Sequence, residues 1–348
     1  MDFRFSQEVN PSTYKTDGLA DGIPVRVHRD FHKAFQRALQ AQQDWSSHVR
    51  PLSGYQGGLG NKFSLMSVAM PECLPERLEI MSYANEFAFL YDDAMEAHLD
   101  GHNTQDPGPK HKSFFNMFRD GVMDRPNDSN WRPEKHLQAR VWNEMMAIDR
   151  PRAIKALAGW AISVDVGSEY RARTNFKSLE DYIPTRVIDF GERTWYGALT
   201  FGMALSIPPV EFGDCMNLAR PGYVALALIN DLYSWEKERN AAKAAGEDFV
   251  FNAIWVIMQE RSRDKGTGLL PEDAEAEAIA TCRAEIKKYV REYHTTVDHV
   301  FHDPTLSKDL KAYLEAVLLM ISGTLVWSIY CPRYNSKPQD SQHQSEMS

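Results

Sequence analysis

The stretch YVALALINDLYSWEKE, residues 223–238, decides the fold class and the chemistry to look for. An apolar run without a helix breaker leads into a polar segment, which predicts a buried helix with a functional end. Asn230, Ser234 and Glu238 are spaced by four residues, so a helix places them on one face. Their amide, hydroxyl and carboxylate oxygens suit Mg²⁺. The alternative is an ordinary polar helix face with internal hydrogen bonds.

A second acidic pattern follows the apolar approach FAFLY in residues 87–96, FAFLYDDAME. Asp92 and Glu96 are one helical turn apart and share a face, with Asp93 between them in the chain. Carboxylates at the end of an apolar helix are costly to bury unless a cation meets them. Taken alone, the pattern is more typical of a solvated acidic helix face than of a metal site.

The remaining chain favours helices throughout. From residue 31 onward apolar residues recur at three- and four-residue steps, and few segments alternate with a period of two. An all-α domain is therefore predicted. Residues 1–30 are rich in turn formers and are expected to be irregular, whereas the polar residues 336–348 are expected to be a disordered linker.

Composition excludes several other functions. The chain of 348 residues carries a net charge of -9, which disfavours nucleic acid as a partner. The four cysteines form no CxxC pair, so zinc and redox motifs have little support and reduced thiols in the cytoplasm are expected. The N-terminus lacks a signal-peptide pattern, and no apolar run is long enough to predict stable membrane insertion.

Together the two motifs resemble the DDxx(D/E) and NDxxSxxx(K/R)E metal motifs of class I terpene synthases. The segment YIPTRVIDFGE, residues 182–192, is similar to the family's effector segment, with Arg186, Asp189 and Phe190 at its centre and Gly191 at the expected helix break. The pair Arg333-Tyr334 is similar to the family's Arg-Tyr pair. The segments SVAMPECLPERLE (67–79), NAIWVIMQE (252–260) and VWSIYCPRYN (326–335) carry a closer resemblance. Over residues 1–335 the chain resembles the N-terminal cyclase domain of fungal bifunctional terpene synthases.

The resemblance implies a single all-α class I terpenoid synthase bundle of about a dozen helices around a deep apolar cavity. It implies three Mg²⁺ ions, with metal ligands among Asp92, Asp93, Glu96, Asn230, Ser234 and Glu238. Cyclisation of a long prenyl diphosphate, C20 or C25, is the implied reaction. Catalytic roles around the diphosphate then fall to Arg186, Asp189, Phe190, Lys237, Arg333 and Tyr334. Full-length relatives continue through a linker into a prenyltransferase domain, so residues 1–335 are expected to be the cyclase and residues 336–348 the start of that linker.

The carbocation formed in such a reaction needs a dry cavity with aromatic walls. We expect the substrate-binding wall to include Phe63, Leu65, Phe87, Phe89, Trp195, Tyr196 and Trp327; each of the aromatic residues is equally compatible with ordinary core packing. Leu65 stands where an aromatic residue is expected in these relatives. The alternatives are a chain-elongating prenyl diphosphate synthase and a non-catalytic lipophilic binding protein. The sequence leaves the oligomeric state open, including a homo-oligomer.

Overall fold

A computed structural model describes residues 2–52, 55, 57–60, 62–99, 133–171, 175–265 and 271–335. Within these residues it contains ten α-helices and one two-stranded sheet. The helices are α1 Phe31–His48, α2 Leu65–Ala69, α3 Pro75–Leu99, α4 Pro133–Arg171, α5 Leu179–Phe190, α6 Glu192–Gly202, α7 Phe212–Ala245, α8 Ala253–Lys265, α9 Pro271–His302 and α10 Lys308–Tyr330. The predicted all-α class is confirmed.

Helices α7 and α10 form the centre of the core. The apolar run 223–229 of α7 is buried throughout, and α10 is buried along most of its length and packs against α7. Within the described residues, α10 alone is long and apolar enough to cross a membrane, but 83% of its apolar window lies inside the protein. Its apolar character is therefore that of a central core helix.

Local sequence signals fix where the site-bearing helices begin and end. Ser178 and Ser307 cap α5 and α10, because each hydroxyl accepts a hydrogen bond from a backbone N–H of the first turn. Helix α5 ends at Gly191, whose φ of +88° is left-handed, and α6 begins at the next residue. Helix α10 ends before Cys331, which is extended because Pro332 follows it.

The expectation of an irregular N-terminus is wrong for part of residues 1–30. Strand β1, Ser6–Glu8, pairs antiparallel with strand β2, Arg26–His28. The buried Glu72 carboxylate accepts hydrogen bonds from the backbone N–H groups of residues 4–6 and holds β1 in place. Three-residue strands are too short to give a readable alternation.

Helix α4 is bent where the sequence contains a proline. Asp149 has non-helical angles, φ −154° and ψ 86°, two residues before Pro151. Its carboxylate accepts hydrogen bonds from Arg152 at 2.7 Å and from Arg77 of α3 at 2.9 Å. The bend is thus tied to α3, the helix that carries the acidic motif.

Candidate active site

The acidic helix α3 and the polar end of α7 meet at Asp93. The Asp93 carboxylate accepts two hydrogen bonds from the Arg333 guanidinium, at 2.6 and 2.8 Å. Lys237 Nζ of α7 is 3.6 Å from Asp93 Oδ1. Burial acts to raise the pKa of Asp93, but the hydrogen bonds and charge of Arg333, together with Lys237, outweigh it and lower that pKa. The Asp93 carboxylate is therefore ionised at neutral pH.

Arg186 lies just before the break between α5 and α6 and is almost fully buried. Its guanidinium donates to Asp231 Oδ1 at 2.8 Å, Asp189 Oδ2 at 2.6 Å and Asn230 Oδ1 at 2.6 Å. Burial alone would lower the pKa of Arg186, but the surrounding carboxylates raise it. The arginine is thus a fixed cation that links the helix break to the motif of α7.

Asp231 is fully buried behind Arg186. Besides the guanidinium, it accepts hydrogen bonds from the Tyr182 hydroxyl and from the backbone N–H of Ala253, both at 2.9 Å. Burial raises the pKa of Asp231 to about 6, although the charge of Arg186 opposes that rise. Asp231 therefore joins α5, α7 and α8 behind the polar face and does not lie on it.

The three spaced residues of α7 share one helical face. Asn230 Nδ2 donates to the Tyr334 hydroxyl at 2.8 Å, and Glu238 Oε2 accepts from Asn252 Nδ2 at 2.9 Å. Ser234 Oγ is buried and has no hydrogen-bond partner among the described residues. A buried hydroxyl without a partner, placed between an amide oxygen and a carboxylate, leaves a lone pair available to an oxygen-ligated cation. The donor set therefore fits a hard divalent metal ion.

The acidic motif of α3 is only partly described. Asp92 is half-buried next to Asp93. The side chain of Glu96 lies outside the described part of the structure. Among the described residues, no three His, Cys, Asp or Glu side chains come together as a metal-binding group. The α7 set is of a different kind, because two of its three ligands are the Asn230 amide and the Ser234 hydroxyl.

Aromatic side chains surround the Arg333–Asp93 pair. Phe89 and Trp327 stack with ring centroids 6.1 Å apart, and Tyr334 packs edge-on against Trp327 at 5.5 Å. The Arg333 guanidinium lies 5.0 Å from the centre of the Phe89 ring. These contacts bring Phe89, Trp327 and the Arg-Tyr pair into one cluster.

The other residues expected in the apolar wall make their ring contacts outside this cluster or have none among the described residues. Phe87 is buried and its ring packs against those of Trp45 and Trp160, on a different side of α3 from Phe89. Tyr196 packs against Phe212 and Tyr313. Phe63, Trp195 and Phe190 are partly buried. The ring of Phe190 lies 6.0 Å from the Arg186 guanidinium. Leu65 is buried in α2.

Three residues in this network are absent from the sequence-based site. Tyr182 and Asn252 hold Asp231 and Glu238, and Glu86 supports the chain before α2. Asn252 has a readable signal, because an asparagine directly before an apolar helix is a preferred N-cap, and its Oδ1 accepts from Ile254 N–H at 2.8 Å. The sequence contains no comparable signal for Tyr182 or Glu86.

Comparison with known protein families shows which family the chain belongs to. The family model described as terpene synthase family 2, C-terminal metal binding, matches residues 83–292. The chain belongs to this family. The match begins in α3 and ends in α9, so it includes both oxygen-rich motifs and the break at Gly191.

Members of the terpene synthase family with curated names align over nearly the whole chain. Fusicoccadiene synthase of Phomopsis amygdali is 42% identical over 339 residues, which cover 96% of this chain and 46% of that protein. A bifunctional sesterterpene synthase of Aspergillus aculeatus is 40% identical, covering 99% of this chain and 47% of that protein. Ophiobolin F synthase of Cochliobolus heterostrophus is 34% identical. The chain spans less than half the length of these relatives.

Solved structures support the fold. Aristolochene synthase from Penicillium roqueforti superposes with a TM-score of 0.62 over 86% of this chain and 95% of its own. The sequence identity is 17%, so this similarity concerns architecture. The predicted class I terpenoid synthase bundle is confirmed.

Proposed function

We propose that this chain ionises a long prenyl diphosphate and cyclises the resulting carbocation. One observation carries the proposal: the two oxygen-rich motifs of α3 and α7 face each other with the cations Arg186, Lys237 and Arg333 around them. Carboxylates and guanidinium groups in one buried site are suited to a metal-bound diphosphate. The relatives named as diterpene and sesterterpene synthases support the substrate class.

The metal in this proposal is Mg²⁺, with three ions. Asn230, Ser234 and Glu238 hold one ion, for which the unpartnered Ser234 Oγ is the structural support. Asp92 holds the other two, with Asp93 and Glu96 as partial or supporting ligands. Bound Mg²⁺ supplies positive charge that stabilises the negative charge developing on the leaving diphosphate.

Protein cations complete the diphosphate site. In the proposal, Arg186, Lys237 and Arg333 bind phosphate oxygens, and the Tyr334 hydroxyl donates a hydrogen bond to them. Arg333 and Arg186 are each already held by carboxylates, so their forked donors are oriented before substrate binds. Asp189 orients Arg186 next to the helix break, with Phe190 beside it.

The apolar wall must exclude water from the carbocation, since water would quench it as an alcohol. Phe89 and Trp327 are the best supported members of the wall, because their stacked rings adjoin Arg333 and Tyr334. Aromatic faces stabilise a nearby cation by about 0.5–2 kcal/mol. The proposed wall also includes Phe63, Leu65, Phe87, Trp195 and Tyr196.

The domain assignment is part of the proposal. Residues 1–335 form the cyclase, and residues 336–348, which lie outside the described residues, begin a linker. The long relatives named as bifunctional support a prenyltransferase partner domain in the whole protein. We propose a cytoplasmic location.

The test is incubation of the purified chain with C15, C20 and C25 prenyl diphosphates, with and without Mg²⁺. We expect Mg²⁺-dependent diphosphate release and cyclic hydrocarbons from the C20 or C25 substrate. Supply of C5 diphosphates alone should give no product, because the α7 motif begins with Asn230 and lacks the second aspartate-rich pattern of a chain-elongating enzyme. Elongation from C5 units, or equal diphosphate release in EDTA, would refute the proposal.

A further inference from the structure

Glu86 is a fully buried carboxylate on α3 that the proposed chemistry does not use. Its Oε1 accepts a hydrogen bond from Gln42 Nε2 of α1 at 2.7 Å, and its Oε2 accepts one from the backbone N–H of Gly58, also at 2.7 Å. Both donors are neutral, and burial raises the pKa of Glu86 to about 7. A buried carboxylate with neutral donors is destabilising in itself, so its presence calls for a compensating role.

The glycine loop, residues 57–60, packs its backbone directly against this carboxylate. A Cβ atom on Gly57 would lie 1.8 Å from Glu86 Oε1, and one on Gly58 would lie 2.8 Å from Oε2. Only glycine permits so close an approach. The loop therefore lies in direct contact with the Glu86 carboxyl group.

The other side of the loop holds Trp327. The carbonyl oxygen of Gly58 accepts hydrogen bonds from Trp327 Nε1 at 3.0 Å and from the backbone N–H of Leu65 at 2.9 Å. Trp327 in turn stacks on Phe89 and contacts Tyr334. A continuous set of contacts thus joins Glu86, through the backbone N–H and C=O of Gly58, to the aromatic cluster beside Arg333.

We propose that Glu86 is a positioning residue that fixes the glycine loop, and through it the orientation of Trp327 against Phe89 and Tyr334. This inference rests on the proposed function, because it assigns to Glu86 the shape of the cyclisation wall and the placement of the Arg-Tyr pair. Glu86 positions the loop through its hydrogen bonds with Gln42 and Gly58, not through its charge. A glutamine at position 86 retains both of them, since its oxygen accepts from Gly58 and its amide donates to a reoriented Gln42.

Three variants and one control test the role of Glu86. Glu86→Leu removes both hydrogen bonds, Gly57→Ala pushes the loop away from an intact Glu86, and Glu86→Gln preserves the contacts. The control is Tyr83→Phe on the same helix, because it removes a buried hydrogen bond to Asp44 that has no link to the loop. Product ratios from the preferred diphosphate and the affinity for inorganic diphosphate with Mg²⁺ are measured for each.

We expect Glu86→Leu and Gly57→Ala to change the ratio of major to minor products by about fivefold and to weaken inorganic diphosphate binding by a similar factor. This is the effect expected when a displaced loop loses its one hydrogen bond from Trp327. Glu86→Gln and Tyr83→Phe should keep the parental values for folded protein. A loss of yield in Glu86→Leu and Gly57→Ala with parental ratio and affinity would overturn the inference.

The two hypotheses fail in different ways. If the unmutated protein forms no cyclic product from any diphosphate, the proposed function is refuted. The affinity for inorganic diphosphate with Mg²⁺ then still tests the positioning role of Glu86. Parental affinity in both disruptive variants overturns the positioning role in that case as well.

Discussion

Replacing Glu86 by glutamine should stabilise the protein in a pH-dependent way. The carboxylate is fully buried, and its partners Gln42 and Gly58 are neutral donors. Burial raises the pKa of Glu86 from the ordinary 4.5 to about 7, against the opposing effect of those two hydrogen bonds. Glutamine has nearly the same shape and keeps both contacts, so the substitution removes chiefly the cost of burying the charge.

The magnitude follows from the two pKa values. Because the folded state holds the Glu86 proton more tightly than the unfolded state, the free energy of unfolding of the parent falls as pH rises from about 4.5 to about 7 and is then level. At about 1.4 kcal/mol for each pH unit, the full effect is about 3 kcal/mol. For a chain of 348 residues this corresponds to a rise in Tm of roughly 4 °C.

Thermal and denaturant unfolding of the parent and Glu86→Gln at pH 5 and pH 8 measure this difference. The variant should be more stable by about 3 kcal/mol at pH 8 and by less than about 1 kcal/mol at pH 5. The charged neighbours Arg333 and Asp93 hold the same charge at pH 5 and pH 8, because the pKa of Asp93 is lowered and that of Arg333 is raised, so neither adds to the difference between the two pH values. Glu79→Gln, on an exposed position of α3, is the matched control and should change stability by less than about 0.5 kcal/mol at both pH values. An equal gap at the two pH values, or a less stable variant at pH 8, would refute the reasoning.

Further predictions concern the proposed site. Asp92→Ala and Asn230→Ala should each lower turnover by at least about 100-fold with an unchanged circular dichroism spectrum, and parental turnover in either would contradict the metal assignment. Arg333→Lys keeps the positive charge but cannot make the paired hydrogen bonds that the guanidinium makes to a carboxylate or phosphate. We expect about tenfold weaker inorganic diphosphate binding by calorimetry and a larger alcohol fraction among the products. Gly191→Ala forces alanine into a left-handed conformation and should lower the free energy of unfolding by about 1–2 kcal/mol in urea titrations.

Much of the helical architecture is readable from short-range chemistry. The break after α5 is encoded by Gly191, because glycine adopts the left-handed conformation without a steric penalty. The end of α10 is encoded by Pro332, because a proline disfavours the helical conformation at the residue before it. The spacing of Asn230, Ser234 and Glu238 likewise fixes a common helix face without tertiary information. Strands β1 and β2 were not predictable, since the contact of Glu72 with residues 4–6 spans more than sixty residues of chain.

The supporting contacts of the site are the part that sequence patterns miss. Tyr182, Asn252 and Glu86 act through partners 49, 14 and 28 residues away. Such pairs depend on how helices pack, and no spacing rule of one helix contains them. The motif residues are readable because they share a helix, whereas the residues that hold them belong to other elements.

In the described site the arginines are paired with the groups proposed to bind metal ions, and this pairing affects how metal and diphosphate bind. Asn230 Oδ1, a proposed metal ligand, accepts a hydrogen bond from Arg186, and Asp93 is paired with Arg333. A metal ion at Asn230 would share this oxygen with the Arg186 guanidinium, and the two positive charges would repel each other unless the arginine gains a new anionic partner. Diphosphate is such a partner for both arginines. Binding of the metal ion should therefore increase the affinity for diphosphate. By thermodynamic linkage, binding of diphosphate increases the affinity for the metal ion by the same factor. The site is consequently built to take up the metal and the diphosphate together.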